Sequence, residues 1–246
     1  MYEVLKKRYG QNFLIDKNIL KKISDLIIED NLNIVEIGPG DGRLTDYILN
    51  YNPKILEIIE IDKELKNILN QKFSKYDNVK IIYSDILKYN LSENIDLIIS
   101  NLPYNISSQI LVKICCLKKI PNRLILMFQK EFAERLLDKK LNSLNTLVKC
   151  FYDVHKNFDI SKKCFRPIPK IDSTILLFSK KQTPLLNYDE IDSFIDLKRK
   201  IFSFKRKTLK NLLKEYDLPQ EEFELNKRVE SISLELFLKI FRKINI

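Results

Sequence analysis

A chain of 246 residues with 45% apolar side chains can bury one large core plus a small appendage, and the formal net charge of +10 predicts a polyanionic partner, although abundant Lys, Asn and Ile inflate the basic balance by themselves. The four cysteines (Cys115, Cys116, Cys150 and Cys164) lack metal-ligand spacing and the lone His155 cannot complete a zinc site, so no metal is expected and reduced thiols point to the cytoplasm. Met1 to Arg8 is short and basic with no apolar run behind it, and no stretch is long and apolar enough to span a bilayer, so neither a secretory leader nor a membrane partner is expected.

In chain order, short β-rich runs alternate with longer helical patterns, the signature of βαβ units and a mainly parallel sheet. Strands are predicted at Asn33–Ile37, Ile55–Ile61, Val79–Tyr83, Asp96–Ser100, Arg123–Gln129, Tyr152–Phe158 and Ser173–Ser179. Crossover helices are predicted at Leu44–Tyr51, Glu64–Ser74 and Ser107–Leu117. The last two strands are joined by Asp159–Asp172, which holds two prolines and no helical period, so an antiparallel return is expected there. After Lys181 the pattern turns helical over Asp189–Phe202, Lys205–Tyr216 and Leu234–Ile244. The expectation is an α/β domain over residues 1–182 and a small all-helical domain over 183–246, the latter near the lower size limit for its own core.

Three of only four glycines fall in Glu36-Ile37-Gly38-Pro39-Gly40-Asp41-Gly42, directly after the first strand. Such clustering predicts a sharp turn that a ligand approaches closely. The Gly-x-Gly-x-x-Gly spacing of a dinucleotide site is absent, which argues against a nicotinamide dehydrogenase built on the same sheet. Glu60 and Asp62 end the second strand, where an acid can accept hydrogen bonds from ribose hydroxyls, and Asp85 follows the third, placed for an adenine amino group. The set suits an adenosyl ligand without phosphates.

At the end of the fourth strand stands Asn101-Leu102-Pro103-Tyr104-Asn105. Ligands of open α/β sheets sit beyond the carboxyl ends of the strands. An exocyclic adenine nitrogen is a poor nucleophile because its lone pair is delocalised, so it must be held in line with a methyl donor. The Asn101 side-chain carbonyl and the Leu102 main-chain carbonyl can each accept one N–H, Pro103 fixes the turn, and Tyr104 can stack on the base. Further on, Phe165-Arg166-Pro167-Ile168-Pro169-Lys170-Ile171-Asp172-Ser173 forms a proline-stiffened loop. Phe165 is the expected second jaw on a flipped-out base, with Arg166 and Lys170 on flanking phosphates.

These residues together resemble the ribosomal RNA adenine dimethyltransferase family, nearly end to end. Lys7-Arg8-Tyr9-Gly10-Gln11-Asn12-Phe13-Leu14 is similar to the family's opening motif, and Phe202 with Lys205-Arg206-Lys207-Thr208, then Arg228-Val229-Glu230-Ser231-Ile232-Ser233, to its helical signatures. The resemblance implies a Rossmann-like class I methyltransferase sheet with its last strand antiparallel. It implies S-adenosylmethionine as donor, bound by Asn12, Leu14, Gly38, Gly40, Glu60, Asp85 and Asn101. Chemistry is implied at Asn101, Leu102, Pro103, Tyr104 and Phe165, and RNA contacts at Arg166, Lys170, Lys205 and Arg206. The implied substrate is a pair of adjacent adenosines in the 3′-terminal hairpin of small-subunit rRNA, met by a cytoplasmic monomer on a small-subunit precursor. A macrolide-resistance methyltransferase of a large-subunit rRNA adenosine, and a catalytically silent assembly factor, remain alternatives. One departure stands out: where the family carries a Tyr-Gly-Arg-Leu-Ser-like stretch, this chain reads Leu141-Asn142-Ser143-Leu144-Asn145.

Overall fold

The computed structural model describes residues 12–204, 206–220 and 222–244. The chain forms two compact units, one from the residues up to Ala133 with Asp153–Lys180, the other from Glu134–Tyr152 with the residues from Lys181 onward. The second unit therefore contains 134–152, a stretch that the sequence reading assigns to the larger domain.

The first unit holds β1 (Phe13–Leu14), α1 (Lys17–Ser24), β2 (Asn33–Ile37), α2 (Arg43–Ile48), β3 (Ile55–Glu60), α3 (Lys66–Phe73), β4 (Val79–Tyr83), β5 (Leu97–Asn101), α4 (Ser107–Cys115) and β6 (Arg123–Gln129). After α5 (Lys130–Leu137) and α6 (Asn145–Phe151) come β7 (Tyr152–Ile160), β8 (Phe165–Arg166) and β9 (Ser173–Lys180). Seven strands make one sheet in the order β4-β3-β2-β5-β6-β9-β7. Strands β4, β3, β2, β5 and β6 run parallel, and β9 lies antiparallel against β6, with Gln129 opposite Ser173. Relative to the doubly wound order 3-2-1-4-5-6, an antiparallel strand is inserted between the fifth and sixth. The topological switch falls between β2 and β5.

The central strands are buried on both faces, as a parallel sheet covered by helices requires: Ile34, Val35 and Ile37 of β2, Leu56, Ile58 and Ile59 of β3, and Leu97 to Ile99 of β5 all lie in the core. Helix α1 starts at Asp16, whose carboxylate accepts the Asn18 and Ile19 N–H groups at 2.9 and 3.1 Å. A separate two-stranded sheet pairs β1 with β8 antiparallel, Phe13 opposite Arg166 and Leu14 opposite Phe165. Two-residue strands carry no period, and the sequence reading has neither.

In the second unit, α7 (Ile191–Phe202), α8 (Leu209–Leu212) and α9 (Leu234–Ile244) surround an aromatic cluster. Phe194 meets Phe237 and Phe241 edge to face, with centroids 5.4 and 5.2 Å apart. The helix predicted over Lys205–Tyr216 contracts to α8 because its N–H groups are taken elsewhere: Leu209 donates to the Lys227 carbonyl and Lys210 to that of Leu225. The departure at 141–145 proves to be a self-closed loop. Asn142 Oδ1 accepts the Leu144 and Asn145 N–H groups, Asn145 Oδ1 accepts that of Asn142 at 2.8 Å, and Asn145 Nδ2 donates to the Lys140 and Asp138 carbonyls. Asn145 is fully buried. Asn145→Ala strips these partners and is expected to cost roughly 1–3 kcal/mol, read as a lower Tm in thermal unfolding.

Candidate active site

The ends of β2, β3, β4 and β5 converge on one open cavity, about 950 Å³ with its adjoining solvent, which Asp62 does not line: it is buried and its carboxylate accepts the Glu64 N–H at 3.1 Å. The cavity walls include Asn12, Leu14, Gly38, Gly40, Glu60, Asp85, Asn101, Leu102, Pro103 and Tyr104, together with Phe13, Ile61 and Ile86 as apolar surface. The cavity lies at the carboxyl ends of β2, β3 and β5, beside the topological switch.

The loop from Gly38 to Gly42 is built on left-handed backbone, with φ of 67°, 61° and 79° at the three glycines. What forbids a side chain differs among them. A Cβ at Gly40 would lie 2.6 Å from the Phe13 ring and one at Gly42 2.4 Å from that of Phe73, whereas one at Gly38 meets only Pro103 at 3.9 Å. The close approach expected of a ligand is thus made, at two of the glycines, by the protein's own aromatic rings. Gly38 N–H donates to the Ile59 carbonyl at 2.9 Å, and the Ser100 hydroxyl donates to the carbonyl of Ile37, locking the ends of β2, β3 and β5 together.

Glu60 is buried, and its two carboxylate oxygens accept the Gly40 N–H at 3.1 Å and the Asp62 N–H at 2.8 Å. Burial raises its pKa, against the pull of those two donors. Each oxygen has a further lone pair for a ligand hydroxyl. Asp85 spends one oxygen on the Leu87 N–H at 2.9 Å. Glu36, at the floor, accepts the Thr45 hydroxyl, and burial pushes its carboxyl up to about 8. Its folded value lies above the ordinary 4.5, so the folded state holds the proton while the unfolded chain releases it. Stability is therefore expected to fall as pH rises from about 4.5 to 8, and Glu36→Gln should flatten that slope in Tm measured between pH 5 and 9.

At the end of β5, Asn101 Nδ2 donates to the Asn12 carbonyl at 3.0 Å. The amide is thereby oriented, and Oδ1 is the atom left to accept a ligand N–H. The Leu102 side chain is buried, so the role expected of it is one for its main-chain carbonyl. The Pro103 carbonyl accepts the Ile106 N–H and the Ser107 hydroxyl, which fixes the turn into α4. Tyr104 is half-buried, and its hydroxyl meets Ser173 Oγ at 2.8 Å. Burial pushes its phenol up, with the Ser173 hydrogen bond opposing, so it stays neutral.

Phe165 is placed differently from expectation. It is 0% exposed, packs in the core with Leu14, Ile160 and Ile175, and does not line the cavity. A jaw on a flipped base needs an open ring face, which a side chain closed in by apolar neighbours does not offer. Its main chain instead pairs with Leu14 and so holds the β1 segment whose preceding residue, Asn12, orients Asn101. Arg166 and Lys170 are exposed on the loop beyond, Arg166 with one guanidinium nitrogen on the Lys163 and Phe165 carbonyls. Arg206 is exposed in the second unit; Lys205 lies outside the described residues, as do Lys7 to Gln11 of the opening motif. Among the described residues, no cluster of three His, Cys, Asp or Glu side chains could hold a metal ion.

The cavity's charges fit an adenosyl sulfonium rather than a dinucleotide. Of the four acids that line it, Glu36 is held protonated by burial and Asp41 is paired at 2.8 Å with Arg43, the only cation among the described lining residues, which leaves Glu60 and Asp85 to face a ligand. A pyrophosphate would find no counter-charge; a cationic donor finds a complementary wall.

The family model for ribosomal RNA adenine dimethylase matches residues 3–245. The chain belongs to that family. It is accordingly an S-adenosylmethionine-dependent methyltransferase, an rRNA adenine dimethylase. Among curated relatives in the family, the "Ribosomal RNA small subunit methyltransferase A" of Malacoplasma penetrans is 41% identical, covering 95% of this chain and 90% of its own length. That of Thermotoga maritima is 37% identical over 97% and 85%. Among solved structures, a dimethyladenosine transferase from Plasmodium falciparum superposes with a TM-score of 0.81 at 29% identity, covering 95% of this chain and 97% of the other. The 23S rRNA methyltransferase ErmE superposes with 0.74 at 20% identity, over 95% and 100%, and shares the fold.

Phe13, within the Gln-Asn-Phe-Leu stretch that the resemblance places over the cofactor, is a wall packed on Gly40; Glu36 as a buried acid in the lining and Ser173 as the anchor of Tyr104 are contributions that sequence reasoning missed. Nothing in the sequence signals the Ser173 contact, which joins residues 69 apart.

Proposed function

We propose that this chain dimethylates N6 of two adjacent adenosines in the 3′-terminal hairpin of small-subunit rRNA. It would act as a cytoplasmic monomer on a small-subunit precursor. The observation that carries the chemistry is the fixed Asn101 amide, whose donor side is spent on the Asn12 carbonyl and whose Oδ1 is left for a substrate N–H. The small-subunit address is supported by the names of the relatives at 37–41% identity.

S-adenosylmethionine, when bound, supplies an electrophilic methyl group. Glu60 accepts the ribose hydroxyls of the donor and Asp85 its adenine amino group, while Gly38, Gly40, Asn12 and Leu14 enclose it. On the substrate side, Asn101 Oδ1 and the Leu102 carbonyl each accept one N–H of the target amino group. That pairing turns the nitrogen lone pair toward the methyl group, a gain in orientation rather than in basicity. The Tyr104 ring stacks on the extruded base. No strong general base is needed, because the proton is acidic once the nitrogen has been alkylated. Arg166 and Lys170 hold flanking phosphates, and the 183–246 segment, with Lys205 and Arg206, selects the rRNA. Among the described residues, no helix is long and apolar enough to cross a membrane.

The test is to incubate the protein with labelled donor and undermethylated small subunits, then digest the rRNA for mass spectrometry. N6,N6-dimethyladenosine is the expected product; its absence contradicts the proposal.

A further inference from the structure

We propose that Ser173 is a positioning residue which acts through the Tyr104 hydroxyl and matters most for the second of the two methyl transfers to one nitrogen. The inference rests on the function proposed above and adds to it a division between the first and second transfer.

Ser173 is the first residue of β9 and is 0% exposed, opposite Gln129 at the carboxyl end of β6. A buried hydroxyl at the start of the run Ser-Thr-Ile-Leu-Leu-Phe needs a hydrogen-bond partner, and an apolar residue would serve if packing were its only task. The partner is Tyr104, at 2.8 Å. The Tyr104 ring is thus held at both ends. Its backbone follows Pro103, whose carbonyl is tied to Ile106 and Ser107, and its hydroxyl is tied to the sheet. A tyrosine held only by its backbone can swing about its first side-chain torsion and carry the ring axis with it; this one cannot without breaking the bond to β9, so the line of the ring is fixed over the site.

The second transfer depends on that restraint more than the first. An unmethylated amino group has two N–H bonds, which Asn101 Oδ1 and the Leu102 carbonyl can both engage. After one methyl has been added, a single N–H remains, and one of the two acceptors has nothing to hold. In-line placement of the nitrogen then relies on how firmly the base plane is fixed, and the stacking ring is what fixes it. Loosening the ring should therefore slow the second step more than the first.

The experiment compares wild type, Ser173→Ala, Tyr104→Phe and the double variant on undermethylated small subunits. Mono- and dimethyladenosine are followed by mass spectrometry under single-turnover and multiple-turnover conditions. Each single variant is expected to lower the rate of the second methylation by about 5- to 20-fold, the scale of a lost hydrogen bond with some misplacement, and to accumulate monomethyladenosine. The RNA KM should stay within about twofold, since no RNA contact is removed. The double variant should be no slower than the slower single one, because both substitutions break the same bond. Tyr104→Phe keeps Ser173 and the fold, so it reads the bond even if Ser173→Ala unfolds. A mono-to-dimethyl time course in Tyr104→Phe like that of wild type would overturn the proposal, as would single effects that multiply in the double variant. Wild type that makes no methylated adenosine would instead overturn the function on which it rests.

Discussion

Asn101→Ala is expected to lower kcat for adenine methylation by about 10²- to 10³-fold, the range found when one preorganised polar group at a reacting centre is removed. The loss is that large because the side chain does two things through one amide. Its Nδ2 is committed to the Asn12 carbonyl at 3.0 Å, and in the proposed mechanism Oδ1 accepts the substrate N–H. Alanine removes the acceptor and also the hydrogen bond to the Asn12 carbonyl, a residue that lines the donor cavity, so donor affinity should weaken too, by less than about tenfold, the worth of one hydrogen bond. Asn101→Asp tests the orientation itself: a carboxylate cannot donate to the Asn12 carbonyl, and its charge faces a lone pair. It should be no more active than alanine. Equilibrium binding of S-adenosylhomocysteine with single-turnover methylation separates the two effects, and a kcat within threefold of wild type for either variant would remove Asn101 from the chemistry.

Phe165→Ala is expected to destabilise the first unit by about 3–5 kcal/mol, the cost of emptying a buried aromatic site. Two roles for this residue give opposite results. A ring that grips the substrate base would, on truncation, weaken RNA-dependent turnover and leave Tm alone. A core ring lowers Tm first. Phe165 is 0% exposed and belongs to the same buried apolar cluster as Leu14, Ile160 and Ile175, so the second outcome is expected. Phe165→Leu, which keeps most of the apolar volume, should cost less than about 2 kcal/mol and restore activity in proportion to folded protein. Donor binding is the sensitive secondary readout, because Leu14 sits opposite Phe165 and Asn12 precedes that short strand. Thermal unfolding with and without S-adenosylhomocysteine measures both.

The larger architecture is legible in the sequence because its central strands are buried on both faces and even the edge strand β4 is an apolar run bounded by turn residues. The predicted runs at 33–37, 79–83 and 123–129 coincide with β2, β4 and β6, and the helix at 234–244 with α9. The cavity is legible for the same reason: Gly38, Glu60, Asp85 and Asn101 each follow or end a parallel strand, and parallel strands bring their carboxyl ends to one edge. What escapes the sequence depends on contacts distant along the chain. The pairing of β1 with β8 joins residues about 150 apart by two residues a side, too short for any period. The same pairing decides the fate of Phe165, which reads as a presented aromatic in a proline-bounded loop until Leu14 is found opposite it. The placement of 134–152 in the second unit also has no local signal: Lys198 Nζ donates to the Ser143 carbonyl at 2.8 Å across 55 residues. The helix predicted at 205–216 starts late, at Leu209, because Leu209 and Lys210 donate to carbonyls at 227 and 225, a competition that propensity cannot register.

In the proposed mechanism Asn101 and Leu102 hold an adenine amino group, and the exposed basic residues beyond the cavity supply the address within the ribosome. Mapping methylation on both ribosomal subunits after exposure to the protein and S-adenosylmethionine tests both halves together. Dimethylation confined to two adjacent adenosines near the 3′ end of small-subunit rRNA is the predicted result, slowed in Asn101→Ala in line with its lower kcat. Modification of a large-subunit adenosine with the small subunit untouched would contradict it.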